Sequence, residues 1–137
     1  MPNPTQYSFN QTTDEYHRYS PIAVNIEVKK EHGVDPLVQL GIWCAAGFKK
    51  RTLDGDDEEI PMPCLAIEGH YWHLYFAYRN QEGEVIFLGP FPIGSTNMYT
   101  GIFQILECLT TLAQWAANDY QTWFERVVWK RLESGQA

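Results

Sequence analysis

The chain has no apolar run of eighteen residues, so no segment of it reads as a membrane-spanning helix. It also lacks a basic excess: ten Lys and Arg stand against seventeen Asp and Glu, a net charge of −7. Nucleic-acid binding generally rests on phosphate neutralisation by Lys and Arg, so this balance argues against a general polyanion binder. There are only three cysteines, Cys44, Cys64 and Cys108, all in apolar stretches and without C-x-x-C spacing. They read as buried, reduced thiols of an intracellular protein rather than a metal or redox set. Met1-Pro2-Asn3-Pro4 lacks the basic and apolar regions of a signal peptide. The expected location is therefore cytoplasmic or nuclear. No internal repeat or low-complexity tract is visible.

Aromatic residues are plentiful: five Trp, eight Tyr and seven Phe, within a 45% apolar composition. That excludes a disordered chain, and 137 residues suffice for one domain with its own core. Residues 1–19 are polar and irregular, and 20–133 form the expected core. Part of the negative charge is local, in Asp54, Asp56, Asp57, Glu58 and Glu59, which read as a solvated loop before Pro61-Met62-Pro63. DGDDEE lacks the twelve-residue spacing and distal Glu of a calcium loop.

Pro21 to Lys29 reads as a strand, with Ile22, Val24, Ile26 and Val28 on one face and Ala23, Asn25, Glu27 and Lys29 on the other. Asp35-Pro36 reads as an N-cap followed by proline at the first helical position. The helix then runs to about Leu53, with an apolar stripe of Leu37, Leu40, Trp43, Cys44 and Gly47. Lys49-Lys50-Arg51 suits the negative end of its dipole. Strands are expected at Cys64–Glu68, His70–Tyr78 and Glu84–Phe91, the last two joined at Gln81-Glu82-Gly83 as a hairpin. A loop at Pro92–Thr96 leads to helix from Asn97 to about Leu132, in two pieces broken near Asn118-Asp119. This order describes an α/β (α+β layered) domain with a mixed sheet of about four strands flanked by helices.

Within the first strand, Glu27 and Lys29 are two residues apart and so project from one face, about 6–7 Å apart along the chain. A carboxylate and an ammonium so placed can hold a divalent cation and a developing negative charge. They can also form nothing more than a surface ion pair, worth about 0–1 kcal/mol. His70 and His73 on one strand would face opposite ways and make a poor metal pair. His17 and His32 are solitary.

PIAVNIEVKK, DPLVQLGIWCAAGF, CLAIEGHYWHLYFAY, PIGSTNMYTGIFQILECLTTLAQWA and YQTWFERVVWK together resemble, in order and spacing, the fungal branch of the PD-(D/E)XK nuclease-like superfamily. The resemblance spans about Ser8 to Leu132. It implies a restriction-endonuclease-like core and a Mg²⁺-dependent endonuclease-like hydrolysis of DNA phosphodiesters. Glu27 and Lys29 fall on the motif's acid and lysine, Gln39 on the glutamine of the following helix, and Trp43 on an aromatic that some relatives carry there. In active relatives an upstream Asp and the motif Glu hold magnesium. The matched blocks leave no room before Ser8 for the N-terminal helix and the strand that carry that Asp, so a truncated core is expected. Asp14, Glu15 and Glu31 are the acids left to replace it, with Asp14 the candidate second metal ligand beside Glu27.

Two further readings stand beside hydrolysis. One is a catalytically silent interaction or assembly module, with the aromatic helices (Trp115, Tyr120, Trp123, Phe124, Trp129) as core or as the surface for a homodimer or protein partner. The other is a fold turned to small-molecule binding or conversion in an aromatic cleft beside Glu27, Lys29 and Gln39.

Overall fold

The computed structural model describes residues 21–51, 59–130 and 134. Four strands form one mixed sheet in the order β1 (Asn25–Lys29), β2 (Met62–Glu68), β3 (Tyr71–Arg79), β4 (Val85–Ser95). β1 and β2 run parallel and are joined by helix α1 (Pro36–Arg51), as a parallel pair requires a crossover. β2, β3 and β4 form an antiparallel meander. Helix α2 (Tyr99–Trp115) follows β4 and packs on it.

α1 begins where Asp35-Pro36 says it should. The Asp35 carboxylate accepts a hydrogen bond from the Leu37 N–H at 2.9 Å, satisfying one of the free donors of the first turn. Leu40, Cys44 and Phe48 recur at helical spacing and bury one stripe of α1 on Met62, Cys64, Ala66 and Ala77 of the sheet. Trp43 lies off that stripe and is exposed, because the buried row drifts from Leu40 to Cys44 and Phe48. The other sheet face carries Leu65 and Ile67, both buried, together with Leu74 and Phe76. α2 lies along this second face, so the sheet is sandwiched between helices.

The β3–β4 hairpin is tied by Asn80. Its side-chain oxygen accepts from the N–H groups of Glu82 and Glu84 at 3.0 and 2.9 Å, and Gly83 supplies a φ of +82°. β4 continues four residues beyond the expected Phe91, through two register shifts against β3, so the segment expected as a loop is largely strand. At its end the chain turns sharply into α2. Gly94 and Gly101 meet there, and a Cβ on Gly94 would stand 2.5 Å from the Gly101 carbonyl oxygen.

Beyond α2 the helix does not break at Asn118-Asp119. It passes through a π-helical turn (Ala116–Tyr120), a short α3 (Gln121–Trp123) and a second π-helical turn (Phe124–Trp129), with right-handed helical backbone at every junction. This tail buries Tyr120, Trp123, Phe124 and Val128 against Ala23, Ile60 and Trp115. The C-terminal aromatics are thus mainly core, with Trp129 the exposed member. Tyr120 accepts a hydrogen bond from Arg51 Nη2 at 3.2 Å and donates one to the Ile22 carbonyl at 2.9 Å. The tail therefore closes the end of the molecule where α1 finishes and β1 starts. Arg51 is buried there rather than capping α1 in solvent, stacked on Phe48, Tyr120 and Trp123 at 5.8, 5.3 and 5.1 Å from the ring centres.

Cys44 and Cys64 are buried with their sulfurs 3.4 Å apart, and Cys108 is half-buried; all three are free. The Cys64 hydrogen bond draws the Cys44 thiol below its usual range, while the same contact and burial hold Cys64 well above it. Glu59, the last acid of the acidic run, pairs with Arg79, and the rest of that run lies outside the described residues. No helix among the described residues is long and apolar enough to cross a membrane.

Candidate functional site

Glu27 and Lys29 project from the same face of β1, and the Glu27 carboxylate meets the Lys29 ammonium at 2.9 Å. Both are only partly exposed, because this is the face over which α1 packs. The strand's alternation is as its sequence predicts, yet its orientation is unusual. The polar row Asn25, Glu27, Lys29 is the half-buried one, and Ile26 and Val28 are exposed. A strand that covers its charged pair and exposes its aliphatics is not arranged for burial alone.

The ladder adds residues from neighbouring strands to this face. Glu27 stands level with Ala66 of β2, which is level with His73 of β3. Lys29 stands level with Glu68, which is level with Tyr71. Glu68 is therefore beside the ammonium and diagonal to the Glu27 carboxylate. Tyr75, on the same side of β3, has its hydroxyl pushed up by burial, with the charges of Asp35 and Glu68 adding to the effect. The site thus sits at the carboxyl ends of two parallel strands and the start of the helix between them, the end where α/β sheets gather ligands.

The remaining expected site residues are distributed as follows. Gln39 is half-buried on α1, one turn beyond Asp35, and forms no hydrogen bond to Glu27 or Lys29 among the described residues. Glu31 lies past the end of β1, over Gly69 of the β2–β3 turn and 3.8 Å from the His32 ring. Asp14, Glu15 and His17 lie outside the described residues. His70 falls in the turn rather than on β3, where its Nδ1 meets the Thr96 hydroxyl at 2.7 Å. Glu68 and His73 were missed as neighbours of the pair. The parallel β1–β2 register places Glu68 there, and the antiparallel β2–β3 register then brings His73 level with Glu27; the sequence of a single strand carries neither.

Glu27 is a hard oxygen donor of the kind magnesium takes, but one carboxylate is a fraction of its usual shell. Among the described residues no group of three His, Cys, Asp or Glu is arranged to hold a metal ion. Two open hollows of about 570 and 590 Å³ occur elsewhere. One is beside Trp123 on the helical tail and the other lies between α2 and the β3–β4 face; Glu27, Lys29 and Gln39 line neither.

A mixed sheet between helices, with a glutamate and a lysine two residues apart on the strand before the crossover helix, defines a nuclease-like α/β domain. The family model described as the PD-(D/E)XK nuclease superfamily matches residues 2–121, and the chain belongs to that superfamily. The match takes in residues 2–20, which lie outside the described residues. No curated protein and no solved structure matches the chain.

Proposed function

We propose that this chain hydrolyses DNA phosphodiesters in a magnesium-dependent reaction centred on Glu27 and Lys29. The observation that carries this reading is their placement together on one half-buried strand face, at the carboxyl end of the parallel pair. Glu27 would hold the cation together with Asp14. Magnesium bound there supplies a water of lowered pKa. Lys29 meets the charge that builds on the phosphoryl oxygens, a task suited to a compact ammonium. Its ion pair with Glu27 aims it in the free protein. Gln39, on the helix above, orients the attacked group. With a net charge of −7 and no broad basic surface, DNA contact here neutralises few phosphates, so its dependence on salt is shallow.

The test is cleavage of duplex DNA by the full chain with and without Mg²⁺. Lys29→Ala is expected to lower the rate by about 10²–10³-fold, the scale of one preorganised donor to a transition-state oxyanion. Glu27→Gln is expected to remove metal-dependent cleavage. Thermal stability should change by about 1 kcal/mol or less in both, since a partly exposed pair contributes little. Equal, background-level cleavage by wild type and Lys29→Ala overturns the proposal.

A second reading, a silent assembly module on the same fold, is favoured by one observation: the uncovered apolar row along α2. Background cleavage together with a defined oligomer would select it.

A further inference from the structure

α2 has three faces where a surface helix ordinarily has two. Gly101, Ile105 and Leu112, with half-buried Cys108, form the row packed on the sheet. Thr100, Gln104, Glu107, Thr111 and Gln114 recur at alternating steps of four and three and make a polar row. The third row is Tyr99, Ile102, Leu106, Leu109 and Ala113, at steps of three and four. That is the heptad spacing of a helix–helix seam, apolar throughout. Met98 precedes it and Phe103 flanks it.

Among the described residues this row is largely uncovered, with Leu109 half-buried. Tyr99 is 86% exposed, Phe103 70%, Met98 62%, Leu106 53% and Ile102 38%. These five side chains offer roughly 600 Å² of surface, the upper end of what a monomer ordinarily leaves in one apolar patch and most of the ~800 Å² each partner gives to a stable interface. Charge points to the identity of the partner. Glu107 is the one charged residue of α2, and it lies on the polar row. Positions flanking a seam ordinarily carry the charges that select a different helix. Here those positions are Phe103, Thr110, Ile105 and Leu112, all uncharged. Two copies of a chain with net charge −7 repel over most of their surface, and this row lets them meet with no like charges opposed.

We propose that α2 pairs with α2 of a second copy, forming a two-fold homodimer in which Leu106, central in the row, packs on its own counterpart. The pairing is independent of the cleavage reading, because its readout is mass and not activity. Sedimentation of the full chain at micromolar concentration is expected to give twice the 15.9 kDa chain mass. Leu106→Asp places an acid at the two-fold contact and should weaken association at least 100-fold, with unchanged far-UV circular dichroism. Phe103→Asp, more exposed still, serves as the second variant should Leu106→Asp fail to fold. Ile42→Asp, on the exposed face of α1, should remain dimeric. A single-chain mass for wild type up to about 100 µM, or a dimer that survives Leu106→Asp or Phe103→Asp, overturns the proposal.

Discussion

A guanidinium that stacks on three rings and bonds one hydroxyl still has donors to spare, and in Arg51 one of them is stranded. Its Nη1 is buried with no hydrogen-bond partner among the described residues, and burial pushes the guanidinium below its usual range, partly offset by Tyr120. Breaking a buried polar contact and replacing the whole group are different experiments. Arg51→Met keeps the packing on Phe48, Tyr120 and Trp123 and removes the stranded donor. It is expected to change unfolding free energy by about 1 kcal/mol or less, in either direction. Arg51→Ala also empties the ring-lined space and should cost about 2–4 kcal/mol. Urea denaturation of the two variants checks the difference. Equal large losses would mean that the charge itself stabilises the fold.

Among the elements, the joint between β4 and α2 is the least tolerant. A Cβ on Gly101 would overlap the Ser95 carbonyl, which is backbone and cannot swing aside. Gly101→Ala is therefore expected to destabilise by about 1–3 kcal/mol, measurable as a lowered thermal midpoint, despite alanine's better helix propensity. A midpoint at or above wild type would show that the joint has slack. This joint also marks where the sequence stops being legible. α1 was readable to its first residue, because Asp35-Pro36 states a cap and a start in local chemistry. The hairpin at Asn80–Glu84 was readable for the same reason. The sequence pattern ends β4 at Phe91, four residues short of Ser95, because Gly94 reads as a loop residue until the helix packed against it is known. Glu27 and Lys29 were legible as a pair from two-residue alternation alone. Their surroundings were not, since Glu68 and His73 arrive by strand register between segments about 40 residues apart. Gln39 came from family resemblance, and Asp14 lies outside the described residues.

At the scale of the whole molecule, burial of weak acids sets a direction for stability against pH. Burial raises the Tyr120 hydroxyl above its ordinary 10.0, outweighing the opposite pull of Arg51, and Tyr75 and Cys108 shift the same way. In the unfolded chain these groups lose their protons first. The folded state then holds more protons, and stability falls as pH rises. The thermal midpoint is expected to decline above about pH 9 and more steeply above about pH 10. Tyr120→Phe should flatten the upper part of that decline by up to one proton, about 1.4 kcal/mol per pH unit. Comparing the variant with wild type isolates the tyrosine from the Cys44–Cys64 pair, whose members shift in opposite directions. Identical pH profiles would mean that Tyr120 is more open to water than its packing implies.

The two π-helical turns act as phase shifters on one long helix. Each widened turn accommodates about one residue more than the α-helix would, which sets later side chains back by roughly 100°. Upstream of the first turn the helix faces the flat of the sheet; from the end of that turn through the second, Tyr120, Trp123, Phe124 and Val128 face its end. The tail's grip on Arg51 and the start of β1 thus depends on where along the axis the extra residues fall, as much as on which aromatics they carry. Removing a single residue between Ala116 and Tyr120 would leave every aromatic in place along the chain and aim the whole set at water.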